Sequence, residues 1–143
     1  MANHDYARAY RANAVMTASP GHLVLMLFDG ALRALNVARE ACVRPETDPR
    51  RYEIVNHQLL KAQTIIAELQ GSLNLEAGDG QFAREMHRLY DYYLRRLIEA
   101  NLRKDPGPIA EVELLLGGVR ETWAEMLRRH ETGTPPGLRS AVA

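Results

Sequence analysis

The stretch Thr17–Ala31, TASPGHLVLMLFDGA, constrains the fold more than any other part of the chain. It contains a helix start that is legible residue by residue. Ser is a favoured N-cap because its hydroxyl accepts a hydrogen bond from one of the first free N–H groups. Pro tolerates the first helical position, where its missing N–H needs no partner. Ser19-Pro20 therefore opens a helix expected to run to about residue 42. Leu23, Leu27, Gly30, Ala34, Val37 and Ala41 recur at alternating four and three, the seam of an antiparallel bundle. A second set, Leu25, Phe28, Leu32 and Leu35, lies well round the cylinder. At ~100° per residue the apolar side chains span an arc of about 260°. A bundle helix that meets two neighbours needs only somewhat over a third of its circumference apolar. The surplus needs a cover, and three are available: the N-terminal segment, a second subunit or a partner peptide.

Three more helical patterns follow, separated by turn chemistry. RPETDP (44–49) breaks the chain, and Asp48-Pro49 repeats the cap-then-Pro logic. The next helix runs to about Leu73 on the seam Tyr52, Val55, Leu59, Ala62, Ile66, Leu69 and Leu73, with Ile54 and Ile65 off it. After NLEAGDG (74–80) a helix spans about Gln81–Arg103. Phe82, Met86, Leu89, Tyr93 and Ala100 form one stripe of it, and Tyr90, Leu94, Leu97 and Asn101 an adjacent one. DPGP (105–108) ends it. The last helix, about 108–130, carries Ile109, Val112, Leu116, Val119, Trp123 and Met126, with Gly117-Gly118 inside as a close backbone contact or a soft point. No strand alternation appears. The expected fold is all-α, an antiparallel up-down-up-down four-helix bundle over residues 17–131. Residues 1–16 are expected to form a short N-terminal cap helix and connector, with the Tyr6 and Tyr10 rings on one face. Residues 132–143 lack periodicity and are expected to be a disordered tail.

Composition then removes function classes. Eighteen acids balance 18 Lys and Arg, and the signs are interspersed. Nucleic-acid surfaces and anionic-membrane binders need a basic excess on one face, so neither partner is expected. The N-terminus has no signal-peptide core, and no run approaches the ~18 apolar residues of a membrane span, so a soluble cytoplasmic protein without membrane insertion is expected. The lone Cys42 excludes an intrachain disulfide and reads as a small buried or half-buried apolar residue. His4, His22, His57, His87 and His130 are scattered, and no Glu has a His three residues on, the pair a di-iron bundle needs. Gly78-Asp79-Gly80 lacks the spacing and Lys of a phosphate loop. Asp91 and Glu99 stand with Arg95 and Arg96 between them, a salt-bridged face rather than an acid pair. No metal, no cofactor and no catalysis are expected.

The residues at 17–32 resemble the flagellar secretion chaperones of the FliS family. That family has an Ala-Tyr dipeptide, a Thr-Ala-Ser-Pro helix start, a Leu-rich run and Tyr-Asp-Gly-Ala. Ala9-Tyr10, Thr17-Ala18-Ser19-Pro20 and Asp29-Gly30-Ala31 match, with Phe28 where a Tyr is usual. Leu89-Tyr90-Asp91-Tyr92, Arg95-Arg96-Leu97, Glu99-Ala100-Asn101 and Trp123 match a second block. The resemblance covers about residues 4–128. It implies a non-enzymatic cytoplasmic chaperone that binds the C-terminal segment of flagellin, stops early polymerisation and delivers it to the flagellar type III export apparatus, whose gate components are then also partners. It further implies an N-terminal segment able to occupy part of the binding surface. The candidate groove and cap residues are Tyr6, Tyr10, Leu25, Phe28, Leu32, Ile54, Ile65, Tyr90 and Asn101. The alternative is a helical regulatory or structural protein that uses its apolar surplus for homodimerisation, a state also open to the unliganded chaperone.

Overall fold

The structure, a computed structural model, describes residues 19–131. It contains four helices: α1 (Pro20–Cys42), α2 (Arg51–Gly71), α3 (Gln81–Arg103) and α4 (Pro106–Glu131). Among the described residues there is no strand, and the fold is an all-α four-helix bundle. The expected N-terminal cap, with Tyr6 and Tyr10, and the expected tail lie outside the described residues.

Local chemistry sets the helix ends. Ser19 is the N-cap of α1, its hydroxyl accepting from His22 N–H at 3.3 Å. The expected Asp48-Pro49 cap is not formed: the Asp48 carboxylate accepts from Arg50 N–H at 3.0 Å and closes the turn before α2, which starts at Arg51, two residues later than expected, without a side-chain cap. Gly80 precedes α3 with φ 76°, and a Cβ there would stand 2.5 Å from the Leu75 carbonyl oxygen, so glycine is required. Asp105 accepts from Gly107 N–H at 2.9 Å, and α4 starts at Pro106, two residues before the expected point.

Each helix packs on the next, and α4 closes the ring against α1. Bridges along two of these seams run in opposite chain directions. On α1 and α4 they join Gly21 to Trp123, Asp29 to Arg120 and Arg39 to Glu113. On α2 and α3 they join Asn56 to Asn101 and Gln70 to Asp91. These are antiparallel neighbours.

The core corrects the sequence reading of α1. Its buried row is Phe28, Ala31, Ala34, Leu35, Ala38, Ala41 and Cys42. Phe28, assigned to the surplus face, is 2% exposed, whereas Val37, assigned to the seam, is 38% exposed. Two rows of α1 have the same alternating spacing, one residue apart: 23-27-30-34-37-41 and 24-28-31-35-38-42. Spacing cannot choose between them. The structure buries the second from Phe28 to Cys42, together with the small members Ala34 and Ala41 of the first, and leaves Leu23, Leu27 and Val37 partly or wholly exposed. On α3 the same ambiguity resolves to Ala83, Met86, Tyr90, Tyr93, Leu97 and Ala100, leaving Phe82 and Leu89 exposed. Tyr90, expected in the partner groove, is 3% exposed and a core residue. On α2 the expected seam holds from Val55 to Leu69, but Tyr52 is exposed. A Cβ at Gly117 or Gly118 would meet nothing within 4 Å, so the pair marks no close backbone contact.

By length and composition alone, α1 is apolar enough to cross a membrane. This narrows the sequence expectation, which counted uninterrupted apolar residues. Asp29 and Arg33 interrupt the run, Asp29 is ion-paired to α4, and seven residues of α1 are buried among the other helices.

Candidate functional site

The α1/α4 side of the bundle carries part of the apolar surface that the core leaves over. Two adjoining depressions lie along it. One, of ≈ 490 Å³, is lined by Asp29, Leu32, Arg33, Asn36, Val37 and Glu113. The other, of ≈ 550 Å³, is lined by Ser19, His22, Leu25, Met26, Asp29, Leu127, His130 and Glu131. Asp29 lines both, and the two together are referred to as the α1/α4 groove. Leu25 and Leu32 are half-buried, and Leu32 packs against the core from outside. On an ideal helix these two are ~20° apart, because seven residues are nearly two turns.

Polar bridges flank that apolar floor. Arg120 Nε donates to Asp29 Oδ1 at 2.8 Å, and Arg39 Nε donates to Glu113 Oε1 at 2.5 Å. Each hydrogen bond holds its guanidinium above the ordinary arginine pKa, so both stay charged. At the far end His22 Nε2 lies 3.0 Å from Glu131 Oε1, and its Nδ1 lies 2.7 Å from the Ser19 hydroxyl. The Trp123 indole N–H donates to the Gly21 carbonyl at 2.9 Å. A Cβ on Gly21 would overlap Leu127 Cδ2, so the helices approach closely there because residue 21 is glycine.

The other expected site residues are elsewhere. Ile65 and Ile54 lie on the α2 edge that faces α1, with Ile65 Cδ1 3.4 Å from where a Gly30 Cβ would stand. Asn101 joins α3 to α2, its amide donating to Asn56 Oδ1 at 2.8 Å. Phe28 and Tyr90 are inside the core. The structure thus brings together Leu25 and Leu32 on one groove, places Ile54 and Ile65 on the opposite flank of α1, and sets Asn101 on a third seam. Sequence reading missed Met26, Asp29, Arg120 and Leu127. The row His22, Leu25/Met26, Asp29, Leu32, Asn36 carries a helical signal that could have found the α1 members. The pairing of Asp29 with Arg120, 91 positions away, has no local signal.

The tyrosine cluster has two environments. Tyr90 and Tyr93 stack edge-on with ring centroids 6.1 Å apart, and burial raises the pKa of both. The Tyr92 hydroxyl donates to Glu111 Oε2 at 2.9 Å, beside Arg96 Nε donating to Glu111 Oε1 at 2.7 Å. Arg96 first, then Tyr92, holds the Glu111 carboxyl below the usual carboxylate range, and Glu111 in turn raises Tyr92. Glu99 pairs with Arg96 and Arg103, and Asp91 with Gln70 and His87, so each acid has its own neighbours. Burial raises the Cys42 thiol, which makes it a poor nucleophile. Among the described residues no group of three His, Cys, Asp or Glu is placed to hold a metal ion. What the arrangement offers is an apolar trough with charged rims, the chemistry of peptide docking.

A family model described as flagellar protein FliS matches residues 1–130. The chain is 36% identical over 138 residues to the flagellar secretion chaperone FliS of Bacillus subtilis, an alignment covering 93% of this chain and 98% of that one. It is 41% identical over 122 residues to the flagellar secretion chaperone FliS of Salmonella typhimurium, covering 85% and 86%. It is 37% identical over 109 residues to the flagellar secretion chaperone FliSB of Pseudomonas aeruginosa, covering 76% and 82%.

Proposed function

The chain belongs to the flagellar protein FliS family, and from that membership we propose that it is a cytoplasmic flagellar export chaperone that binds the C-terminal segment of flagellin. The relatives are named as chaperones, which supports a role in binding rather than catalysis. Bound flagellin is kept from polymerising and is handed to the flagellar export apparatus. The observation that carries the reading is the α1/α4 groove, whose floor of Leu25, Met26, Leu32 and Leu127 suits the apolar row of a helix. Ile54 and Ile65 offer a second apolar edge on the other flank of α1, so a long segment can contact both sides. Tyr6 and Tyr10 are proposed to take part of this surface when flagellin is absent. Ordering a partner segment offsets roughly 2–5 kcal/mol of contact energy, which keeps a large interface releasable at the export gate.

The test is calorimetric titration of the full chain with a flagellin C-terminal peptide, followed by far-UV circular dichroism. One-to-one binding with a gain of helix is expected. Leu32→Asp lowers the affinity at least about tenfold, ~1.4 kcal/mol, while leaving the thermal midpoint within a few degrees. Deleting residues 1–15 raises the affinity. Loss of binding matched by an equal loss of stability would make Leu32 a plain packing residue and defeat the groove. A concentration-independent dimer that ignores the peptide would favour the homodimer reading.

A further inference from the structure

The outer seam between α2 and α3 lies across the bundle from the α1/α4 groove. Amide bridges hold it toward both ends. Asn101 Nδ2 donates to Asn56 Oδ1 at 2.8 Å, and Gln70 Nε2 donates to Asp91 Oδ1 at 2.8 Å and to the His87 carbonyl at 3.0 Å. These bridges fix the register of two antiparallel helices. One turn on from Asn56 is Leu60, and three residues before Asn101 is Ile98, so the two stand opposite each other. Leu60 is 49% exposed and Ile98 52%. Leu102, one turn beyond Ile98, is 83% exposed.

A row of cations borders this apolar strip. Arg88, Arg95 and Leu102 recur every seven residues and share one face of α3. Neither Arg88 nor Arg95 has an ion pair or hydrogen bond with any described residue, unlike Arg96 and Arg103, which both engage Glu99. Acids near them are already occupied: Asp91 by Gln70 and His87, Glu85 by Gln81. Glu53, at the start of α2, lies at the other end of the seam from Arg88. Two guanidiniums without a partner among the described residues therefore stand two turns apart, about 10.5 Å along the helix axis. That equals the rise between positions i and i+7 of a second helix laid alongside.

We infer that the α2/α3 seam is a second docking surface, built for an acidic amphipathic helix. Its apolar row covers Leu60, Ile98 and Leu102, and carboxylates two turns apart meet Arg88 and Arg95. Apolar contact supplies area, and the charge pairs fix register and partner choice. The occupant is a protein other than the flagellin segment, and the surface stays open when the α1/α4 groove is filled.

The test uses a synthetic helical peptide of about 18 residues with a Leu row flanked by Glu at i and i+7, against versions carrying Gln or Lys there. Fluorescence anisotropy is read with the full chain at low and high salt. The Glu peptide is expected to bind at least about tenfold tighter than the Gln peptide at ~0.05 M salt, an advantage lost near ~0.5 M. The double variant Arg88→Glu/Arg95→Glu, at positions that support no described contact, reverses the preference toward the Lys peptide. Ile98→Asp weakens all three peptides, and circular dichroism checks that each variant is folded. The Glu peptide binds equally well to the complex with flagellin peptide and to Leu32→Asp, which separates this surface from the proposed flagellin groove. Equal affinity for Glu and Gln peptides, or indifference to charge reversal, overturns the inference. So does competition with the flagellin peptide, or a homodimer broken by Ile98→Asp.

Discussion

Two rows of α1 carry the same kinds of side chain to opposite fates. The inner row, Phe28, Ala31, Leu35 and Ala38, is sealed against the other helices. The outer row, Leu25 and Leu32, lies half-buried on the α1/α4 groove beside Asp29. Phe28 and Leu32 are one turn apart, and ~40° of rotation separates a core residue from a groove residue. The contrast shows that the apolar surplus of α1 is real but narrower than its arc suggested. Phe28 and Leu35 are spent on folding, and what remains for a partner is the edge toward α4.

The largest effect should come from the inner row. Phe28→Ala is expected to destabilise the bundle by about 3–5 kcal/mol, because deleting a buried ring loses transfer energy and leaves a cavity. Leu25→Ala and Leu32→Ala should each cost about 1 kcal/mol, because these side chains are already partly in water. Urea denaturation of the three variants measures this directly. If Leu32→Ala costs as much as Phe28→Ala, the two rows are one core and the comparison fails. Phe28→Asp would therefore abolish any partner binding through unfolding, and says nothing about the groove.

The inner row was only half legible in the sequence. Ser19-Pro20 marked the start of α1, and on α2 the seam from Val55 to Leu69 was read correctly because no rival row of large apolar residues competes with it. On α1 and α3 two rows one residue apart share the same spacing, and only neighbouring helices break the tie. The groove was less legible still. Leu25 and Leu32 could be singled out as surplus, but their grouping with Leu127 and Arg120 depends on α4 returning beside α1. Asn101 was picked out by its place in the second block that resembles the flagellar secretion chaperones, and its structural partner, Asn56, is 45 positions away.

A second contrast lies within the tyrosines, and an alkaline titration sharpens it. Tyr90 and Tyr93 are raised by burial, Tyr92 first by its hydrogen bond to Glu111. All three folded-state values lie above the ordinary tyrosine range, so the folded chain holds these protons more tightly than the unfolded chain. The stability they contribute is complete below about pH 10 and is lost as pH rises through the folded values. Unfolding above about pH 10 should therefore coincide with a rise in tyrosinate absorbance at ~295 nm. Glu111→Gln should lower only the Tyr92 component and leave the cooperative part of the transition, which belongs to the core pair. A titration unchanged by Glu111→Gln would place Tyr92 with the core tyrosines.

The smallest effect concerns the ion pair at the middle of the groove. Asp29 and Arg120 are both about one-third exposed, at 36% and 28%, so water screens much of their attraction. Arg120 also pairs with Glu121 at 2.8 Å, which leaves it a partner when Asp29 is neutralised. Asp29→Asn should thus cost less than about 1 kcal/mol of stability, and less again in high salt. Its consequence for binding should be larger than its consequence for folding, because Asp29 is the one residue that lines both depressions. An amide there can still accept from Arg120, so the groove keeps its shape while losing a negative charge from its rim. Titration with the flagellin peptide at two salt concentrations separates shape from charge. A change in affinity that disappears at high salt assigns Asp29 to steering the partner, and one that persists assigns it to the contact itself. A stability loss of several kcal/mol would instead place Asp29 with Phe28 on the structural side of α1, and the boundary between the two rows would have to be redrawn.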